Sequence, residues 1–304
     1  MAEPLAHRCA LESAARGEPL AGTASRVGRW LVVEQPGAWG HDALSHSHLD
    51  PDIGRALADT ARAAGVRVLL ARRPGWGRGS DVRRVFLAHT GPGSRWLRQV
   101  DLPMEDEAAL LALDLRALAR GEPPGVGEPG PASLVLVCTH GRHDPCCADQ
   151  GRPIVRRFAA VGVPDVWECS HVGGDRFAGN LVFLPEGVYM GRVDAEAAPG
   201  VVADLRRGLL DLHRYRGRSF HPPLVQVAEV HARAELGERR LDGVTVIAAE
   251  SSSHDEATVH VAQDGGPTLE VAVTRQPGEP VQLTCRAPRP SPPWRYAART
   301  TRTL

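Results

Sequence analysis

The chain has 304 residues, of which 42% are hydrophobic and 24% are charged, proportions that are ordinary for a soluble globular protein. Its 36 basic side chains balance its 36 acidic ones, so no broad basic face for nucleic acid is expected. A chain of this length fits two or three domains.

The sequence also bears on compartment. No run of about 18 apolar residues is present, so no membrane span is predicted. The segment 1–17 contains acidic side chains and no apolar core, which argues against a signal peptide. We therefore expect a cytoplasmic protein with reduced thiols. Clustered cysteines in that compartment bind metal or act in catalysis more often than they form disulfides.

Two segments rich in proline and glycine, 121–133 and 216–223, divide the chain into three regions. In the first region, apolar runs predict three strands, at 30–34, 66–71 and 84–89. Apolar residues at helical spacing predict two helices, at 52–64 and 105–120. The predicted order is β-α-β-β-α.

The second region repeats this order. Its predicted strands lie at 134–137, 166–170, 181–184 and 188–193, the last two joined by a hairpin turn. Its predicted helices lie at 153–160 and 200–213. Because a βαβ unit followed by a hairpin and a helix is the order of a thioredoxin-like half, we predict an α/β fold with two thioredoxin-like units in tandem.

The third region predicts a small α+β structure. A helix is expected at 223–236, and strands are expected at 244–248, 257–262, 268–274 and 281–285. The tail after 285 is rich in proline and arginine and is predicted to be partly disordered. The predicted domains therefore span 1–125, 132–218 and 221–304.

Four of the six cysteines fall between 138 and 169. Cys138 ends a predicted strand, and Cys146 and Cys147 are expected in the loop that follows. Cys169 and His171 share the parity of the next strand, so their side chains are expected on one face. Thiolates and an imidazole at the ends of adjacent strands suit a soft metal ion or an iron–sulfur cluster.

This segment resembles the sucrase/ferredoxin-like family, whose metal domain is similar to thioredoxin-like [2Fe-2S] ferredoxins. Cys147 opens the sequence C-A-D-Q-G, which matches the Cys-Ala-x-x-Gly stretch that carries the second ligand in those ferredoxins. The sequence FLPEGVY at 183–189 matches the family's Pro-x-Gly-Val-Tyr/Trp hairpin. In the family, two ligands separated by three residues precede a strand and then this hairpin. The resemblance therefore implies that His171 and Asp175 occupy the two remaining ligand positions. The resemblance covers about 134–215 and, more weakly, the N-terminal half.

The resemblance implies a [2Fe-2S] cluster held by Cys138, Cys147, His171 and a fourth ligand. Family members with two histidine ligands carry His-x-Gly-Gly-His, whereas this chain has H-V-G-G-D at 171–175. Three alternatives follow: Asp175 is a ligand, Cys169 takes its place, or the site holds no cluster. Asp175 is also suited to accept a hydrogen bond from His171.

The other cysteines and nearby histidines have simpler interpretations. Cys146 is interpreted as the neighbour of a ligand, and Cys9 and Cys285 as isolated structural cysteines. His140 and His143 are interpreted as solvated side chains near the cluster.

The leading hypothesis is a [2Fe-2S] protein that transfers one electron at a time, a carrier rather than an enzyme. Its redox partner is not identified by the sequence, and neither nucleic acid nor membrane is expected as a partner. One alternative is a thiol-dependent thioredoxin-fold oxidoreductase that uses Cys146 or Cys147, although the C-x-x-C spacing of that class is absent. Two others are a structural zinc site and a metal-free scaffold.

Overall fold

The computed structural model describes residues 7–75 and 80–304. Residues 1–6, part of the segment where no signal peptide is expected, and residues 76–79 lie outside the described residues. The strands are β1 (Arg29–Glu34), β2 (Arg67–Arg72), β3 (Val82–Gly91), β4 (Ser94–Pro103), β5 (Glu128–Pro129), β6 (Leu134–Cys138), β7 (Val166–Cys169), β8 (Leu181–Leu184), β9 (Val188–Met190), β10 (Tyr215–Arg218), β11 (Val244–Ser251), β12 (Glu256–Gln263), β13 (Thr268–Pro277) and β14 (Trp294–Thr303). The helices are α1 (Cys9–Ala15), α2 (Ala43–His46), α3 (Pro51–Ala63), α4 (Leu115–Ala119), α5 (Pro145–Val161), α6 (Ala198–Arg206) and α7 (Pro223–Leu236).

Strands β1 to β10 form one sheet in the order β10-β9-β8-β6-β7-β2-β1-β3-β4-β5. Its two halves have the same pairing. In each half the first two strands are parallel, the third strand pairs antiparallel with the first, and the fourth pairs antiparallel with the third. The halves join where β2 pairs with β7, with Ala71 opposite Cys169. The mixed α/β class predicted from the sequence is confirmed.

Helix α5 begins earlier than predicted, and this corrects the placement of two cysteines. Asp144 caps the helix by accepting a hydrogen bond from the backbone N–H of Cys146 at 2.9 Å, and Pro145 occupies the first turn. Cys146 and Cys147 therefore lie in the first helical turn rather than in a loop. Pro153, predicted to start the helix, lies inside it.

Two other predicted helices are shorter than expected. The helix predicted at 105–120 is divided into a 3-10 helix at Glu107–Ala112 and helix α4, because Asp114 caps a new helix between them. Helix α6 ends at Arg206, and Gly208 follows with a φ of +75°, a conformation that ends helices.

The C-terminal region is a four-stranded antiparallel sheet, β11-β12-β13-β14, with α7 packed against it. The helix predicted at 223–236 is confirmed. The strand predicted at 281–285 is replaced by an isolated bridge between Val281 and Ser291. The tail predicted to be partly disordered contains β14, since Tyr296 and Ala298 alternate onto the apolar side of this sheet.

Alternate side chains of β6 belong to two different hydrophobic clusters around the site. Val135 and Val137 face α5 and α6 in one apolar cluster, whereas Leu136 and Cys138 face a second cluster with Trp30 of β1. Cys138 thus belongs to the face that both halves of the sheet share. None of the helices in the described ranges has the length and apolar character that a membrane crossing requires.

Candidate metal centre

The centre lies where β6 and β7 end beside the first turn of α5. The ligand atoms of Cys138, Cys147 and His171 all lie within 4.8 Å of one another. The Sγ atom of Cys147 is 3.9 Å from Nδ1 of His171. Both thiols are buried, whereas His171 is partly exposed. Three of the residues predicted as ligands therefore converge on one point.

Asp175 adjoins this group from the loop after β7. It begins a short 3-10 helix, and its Oδ1 atom lies 2.8 Å from Nδ1 of His171 and 3.5 Å from Sγ of Cys147. The side chain is 4% exposed, so its charge is almost removed from water. Its carboxylate is placed either to bind a metal ion or to orient the imidazole.

A buried arginine holds the loop that carries Asp175. Arg216 donates hydrogen bonds to the carbonyl oxygen of Gly173 at 3.0 Å and to Oδ1 of Asn180 at 2.8 Å. Gly173 and Gly174 have φ values of +98° and +79°, and a β-carbon on Gly174 would overlap the guanidinium. Burial lowers the pKa of Arg216 to about 10. The two glycines of the predicted ligand loop are thus required by backbone conformation and by close contact.

His143, predicted only as a solvated histidine near the cluster, is a further residue of the site. Its ring stacks on that of His171 with 3.9 Å between centroids, and its ligand atom lies within 4.8 Å of those of His171 and Asp175. The position of His143 depends on the short turn between β6 and α5, which the sequence analysis treated as an open loop. The presence of a histidine between two predicted cysteine ligands was the available signal.

Cys169 is a neighbour of Cys138, but its thiol is not among the ligand atoms that converge with those of Cys138, Cys147 and His171. It is completely buried at the end of β7, opposite Cys138 of β6, and belongs to the apolar cluster that contains Trp30. Burial raises the pKa of its thiol well above the usual value, and the nearby Cys138 raises it further. These surroundings favour a neutral thiol that packs as a small apolar side chain.

The central thiols and the imidazole influence one another's protonation. Hydrogen bonding between the two thiols lowers the pKa of Cys138 well below its usual range and raises that of Cys147. Burial opposes the charge on His171, but Asp175 and Cys138 outweigh it and raise the pKa of the imidazole to about 9. Burial likewise opposes ionisation of Asp175, yet His171 keeps the pKa of that carboxyl lowered. Cys138 and Asp175 are therefore favoured in the deprotonated forms that bind metals, whereas Cys147 and His171 would each release a proton on binding a metal.

A cleft of about 200 Å³ opens beside the centre and is lined by His41, Asp42, Ala43, Leu44, Val68, His140, His143, Ser170 and His171. The Nε2 atom of His140 is 2.8 Å from the carbonyl oxygen of Gly40, so this predicted solvated histidine is tied to the loop after β1. His171 is the central group that reaches this cleft.

The remaining cysteines form a second group. The side chains of Cys9, Cys146 and Cys285 meet, together with Asp144, at a buried point on another side of α5. The interpretation of Cys9 and Cys285 as isolated is therefore wrong. Their separation in the chain concealed the contact, which depends on how the C-terminal region folds back onto α5.

Comparison with known proteins places these residues in context. A model of a family described as sucrase/ferredoxin-like matches residues 20–217. Altered inheritance of mitochondria protein 32 from Meyerozyma guilliermondii is 35% identical over 95 residues, which cover 28% of this chain and 34% of that protein. The chain thus matches about a third of that relative's length. No solved structure matches the chain.

Proposed function

The chain belongs to the sucrase/ferredoxin-like family, and from this premise we propose that it binds a [2Fe-2S] cluster and acts as a one-electron redox protein. The observation that carries the proposal is the convergence of Cys138, Cys147 and His171 within 4.8 Å of one another. Thiolate is the usual ligand of such clusters, and imidazole replaces it in Rieske centres. The donor set therefore fits the group that the family resemblance implies.

We propose Asp175 as the fourth ligand, in preference to Cys169. The carboxylate of Asp175 is in contact with both Cys147 and His171, whereas Cys169 joins neither ligand group. A carboxylate is an uncommon ligand for iron–sulfur clusters because it is harder than thiolate. His143, which stacks on His171, is a further candidate for this position.

We also propose that the scaffold consists of two thioredoxin-like units. The equal strand pairing in the two halves of the large sheet supports this division. The proposed domains are 1–125, which contributes no ligand to this centre, 132–218, which carries the centre, and 221–304. The cytoplasmic location expected from the sequence stays a prediction.

When bound, the cluster would supply the ability to accept and release one electron. The surrounding residues would bury the two thiolates. Among the proposed ligands, His171 would be the one that lines the cleft. Nδ1 of His171 faces Cys147 and Asp175, and the side chain is 20% exposed and lines the cleft. We propose that the imidazole exchanges a proton with solvent through this exposed edge. A carrier with this exposed edge needs a redox partner and no substrate of its own.

The test is a visible absorption spectrum, with iron and acid-labile sulfide assays, on the full chain purified without oxygen. We expect visible absorption bands with iron and sulfide in equal amounts. A colourless protein that stays free of iron after cluster reconstitution would overturn the proposal.

A single zinc ion is the second candidate, and one observation favours it. The Sγ atom of Cys147 is 3.9 Å from Nδ1 of His171 and 3.5 Å from Oδ1 of Asp175, whereas the 2.8 Å between Nδ1 and Oδ1 is a hydrogen-bond distance. The corners of a tetrahedral zinc site with nitrogen, oxygen and sulfur ligands are about 3.3 to 3.8 Å apart. A colourless protein with zinc that is lost when Cys138 is replaced by serine would support this candidate.

Thiol-dependent catalysis has less support. Cys146 and Cys147 are both buried, with 1% and 0% exposure, so neither thiol is open to a substrate. In a cysteine–histidine relay the two imidazole nitrogens face different partners. Here Nδ1 of His171 faces both Cys147 and Asp175, which suits a shared metal rather than a relay.

A further inference from the structure

Three cysteines from distant parts of the chain meet beside the N-terminus of α5. Cys9 begins α1, Cys146 lies in the first turn of α5, and Cys285 lies in the segment between β13 and β14. The Sγ atom of Cys285 is 3.4 Å from that of Cys146 and 3.5 Å from that of Cys9. All three residues are at most 3% exposed. Such convergence across 276 residues of sequence is not a consequence of local chain geometry.

A buried carboxylate completes the group. Asp144 has no solvent exposure, and both its oxygens lie 3.8 Å from Sγ of Cys9. It accepts backbone hydrogen bonds from Cys146 at 2.9 Å and from Cys285 at 2.7 Å. Within 7–75 and 80–304, no arginine or histidine forms an ion pair with it. Among the described residues, its charge is therefore stabilised by backbone hydrogen bonds and the positive end of α5 but by no cationic side chain.

We propose that Cys9, Cys146, Cys285 and Asp144 form a second metal site, which binds a zinc ion. Bond lengths of about 2.3 Å to sulfur and about 2.0 to 2.2 Å to oxygen place the corners of a tetrahedral zinc site about 3.5 to 3.8 Å apart. The distances from Cys285 to Cys146, from Cys285 to Cys9 and from Cys9 to Asp144, 3.4 to 3.8 Å, match these values, and the other donor atoms of the group lie within 4.8 Å of one another. A divalent cation would also supply the missing partner for Asp144.

This site is separate from the centre formed by Cys138, Cys147 and His171. Adjacent residues on a helix point in different directions, so Cys146 and Cys147 face different sides of α5. The two ligand groups have no residue in common. Zinc has no redox chemistry, so the second ion would act as a structural link.

The geometry favours a metal over a disulfide. A disulfide joins two sulfurs at about 2.05 Å, whereas the three thiols here are mutually close and unbonded. Any one disulfide would use only two of the three thiols and would bring no cation to the carboxylate of Asp144. A tetrahedral ion uses all four groups at once.

The proposed ion would connect three parts of the fold. Cys9 belongs to the N-terminal helix, Cys146 to the unit that carries the first centre, and Cys285 to the C-terminal region. This arrangement assigns a role to the segment between β13 and β14, which contains little regular structure among its described residues.

The test measures zinc and iron by mass spectrometry on full chain purified without oxygen. We expect about one zinc per chain at a four-ligand site. Cys9→Ser and Cys285→Ser should each lose most of this zinc, whereas Cys138→Ser should keep it. Cys285→His, which restores a zinc ligand, should retain more zinc than Cys285→Ser.

Differential alkylation of the wild-type chain provides a readout that needs no variant. Chelation of the zinc should increase the labelling of Cys9, Cys146 and Cys285 together. The proposal is overturned if Cys285→Ser keeps its zinc while Cys138→Ser loses it, since the ion would then occupy the first centre. A zinc-free chain with a Cys146–Cys285 disulfide would overturn it as well.

Discussion

Gly151 packs so closely against Cys138 that a β-carbon at this position would overlap the Cys138 carbonyl oxygen. Gly151 is the last residue of the C-A-D-Q-G sequence that begins with Cys147. Its missing side chain lets α5 lie against the end of β6, and this contact brings the first turn of α5 to Cys138. The glycine of the motif therefore sets the distance between the two thiols.

Gly151→Ala should separate α5 from β6 and weaken the metal centre. The clash is with backbone, which has little room to move, so we expect a loss of about 1 to 3 kcal/mol in the free energy of unfolding. We also expect less metal per chain. Chemical denaturation and metal analysis would measure the two effects.

Gly200→Ala is the matched control. Gly200 lies in α6, and a β-carbon there would meet no atom within 4 Å. Because alanine favours helices, this variant should gain up to about 1 kcal/mol and keep its metal. If Gly151→Ala and Gly200→Ala change the free energy of unfolding and the metal content equally, Gly151 does not set the distance between the two thiols.

The fourth ligand can be assigned by comparing Asp175→Ala with Cys169→Ala. Loss of Asp175 should reduce the metal content and alter the visible and electron paramagnetic resonance spectra. Cys169→Ala should leave both spectra unchanged, because the thiol packs in the apolar core. Asp175→His, which restores the His-x-Gly-Gly-His pattern, should retain the metal.

The opposite pattern would assign Cys169 to the site. If neither replacement changes the spectra, His143→Ala becomes the informative variant, since His143 also lies beside His171. A loss of metal in that variant alone would identify His143 as the ligand.

Local sequence patterns predicted most of the helices and strands. The predictions were wrong where contacts between distant parts of the chain determine the structure. The helix at 223–236 has strong apolar spacing and was predicted to the residue. Strand β4 was missed because most of its side chains are partly or fully exposed, so its sequence lacks apolar alternation. The tail containing β14 is rich in arginine, and its structure depends on pairing with β13.

In the candidate site, too, some residues were predicted from local patterns and others depend on tertiary contacts. Cys138 and Cys147 were predicted as ligands from a strand end and a short motif, and His171 and Asp175 from the family resemblance, and the structure brings these side chains together. The contact of His143 with His171 depends on a tight turn, and the meeting of Cys9 with Cys285 depends on the whole fold. Spacing along the chain carries no information about contacts of that kind.

Arg216→Leu should loosen the loop that carries Asp175. The change removes the donor to the carbonyl oxygen of Gly173 and to the buried side chain of Asn180, and the unsatisfied Asn180 oxygen alone should cost about 1 to 3 kcal/mol. We expect lower thermal stability and weaker metal retention. Arg207→Leu, at an exposed position on the surface, should change neither property, and an equal loss in both variants would contradict this role.

The reduction potential should fall as pH rises if His171 is a ligand with Nε2 open to solvent. Reduction adds negative charge and raises the pKa of the imidazole, so protonation accompanies electron uptake between the pKa values of the oxidised and reduced forms. In that range the slope should approach about 59 mV per pH unit for one electron and one proton. Protein-film voltammetry from about pH 6 to 10 would measure it, and the range brackets ordinary imidazole titration. A flat potential across this range would show that His171 is not a ligand.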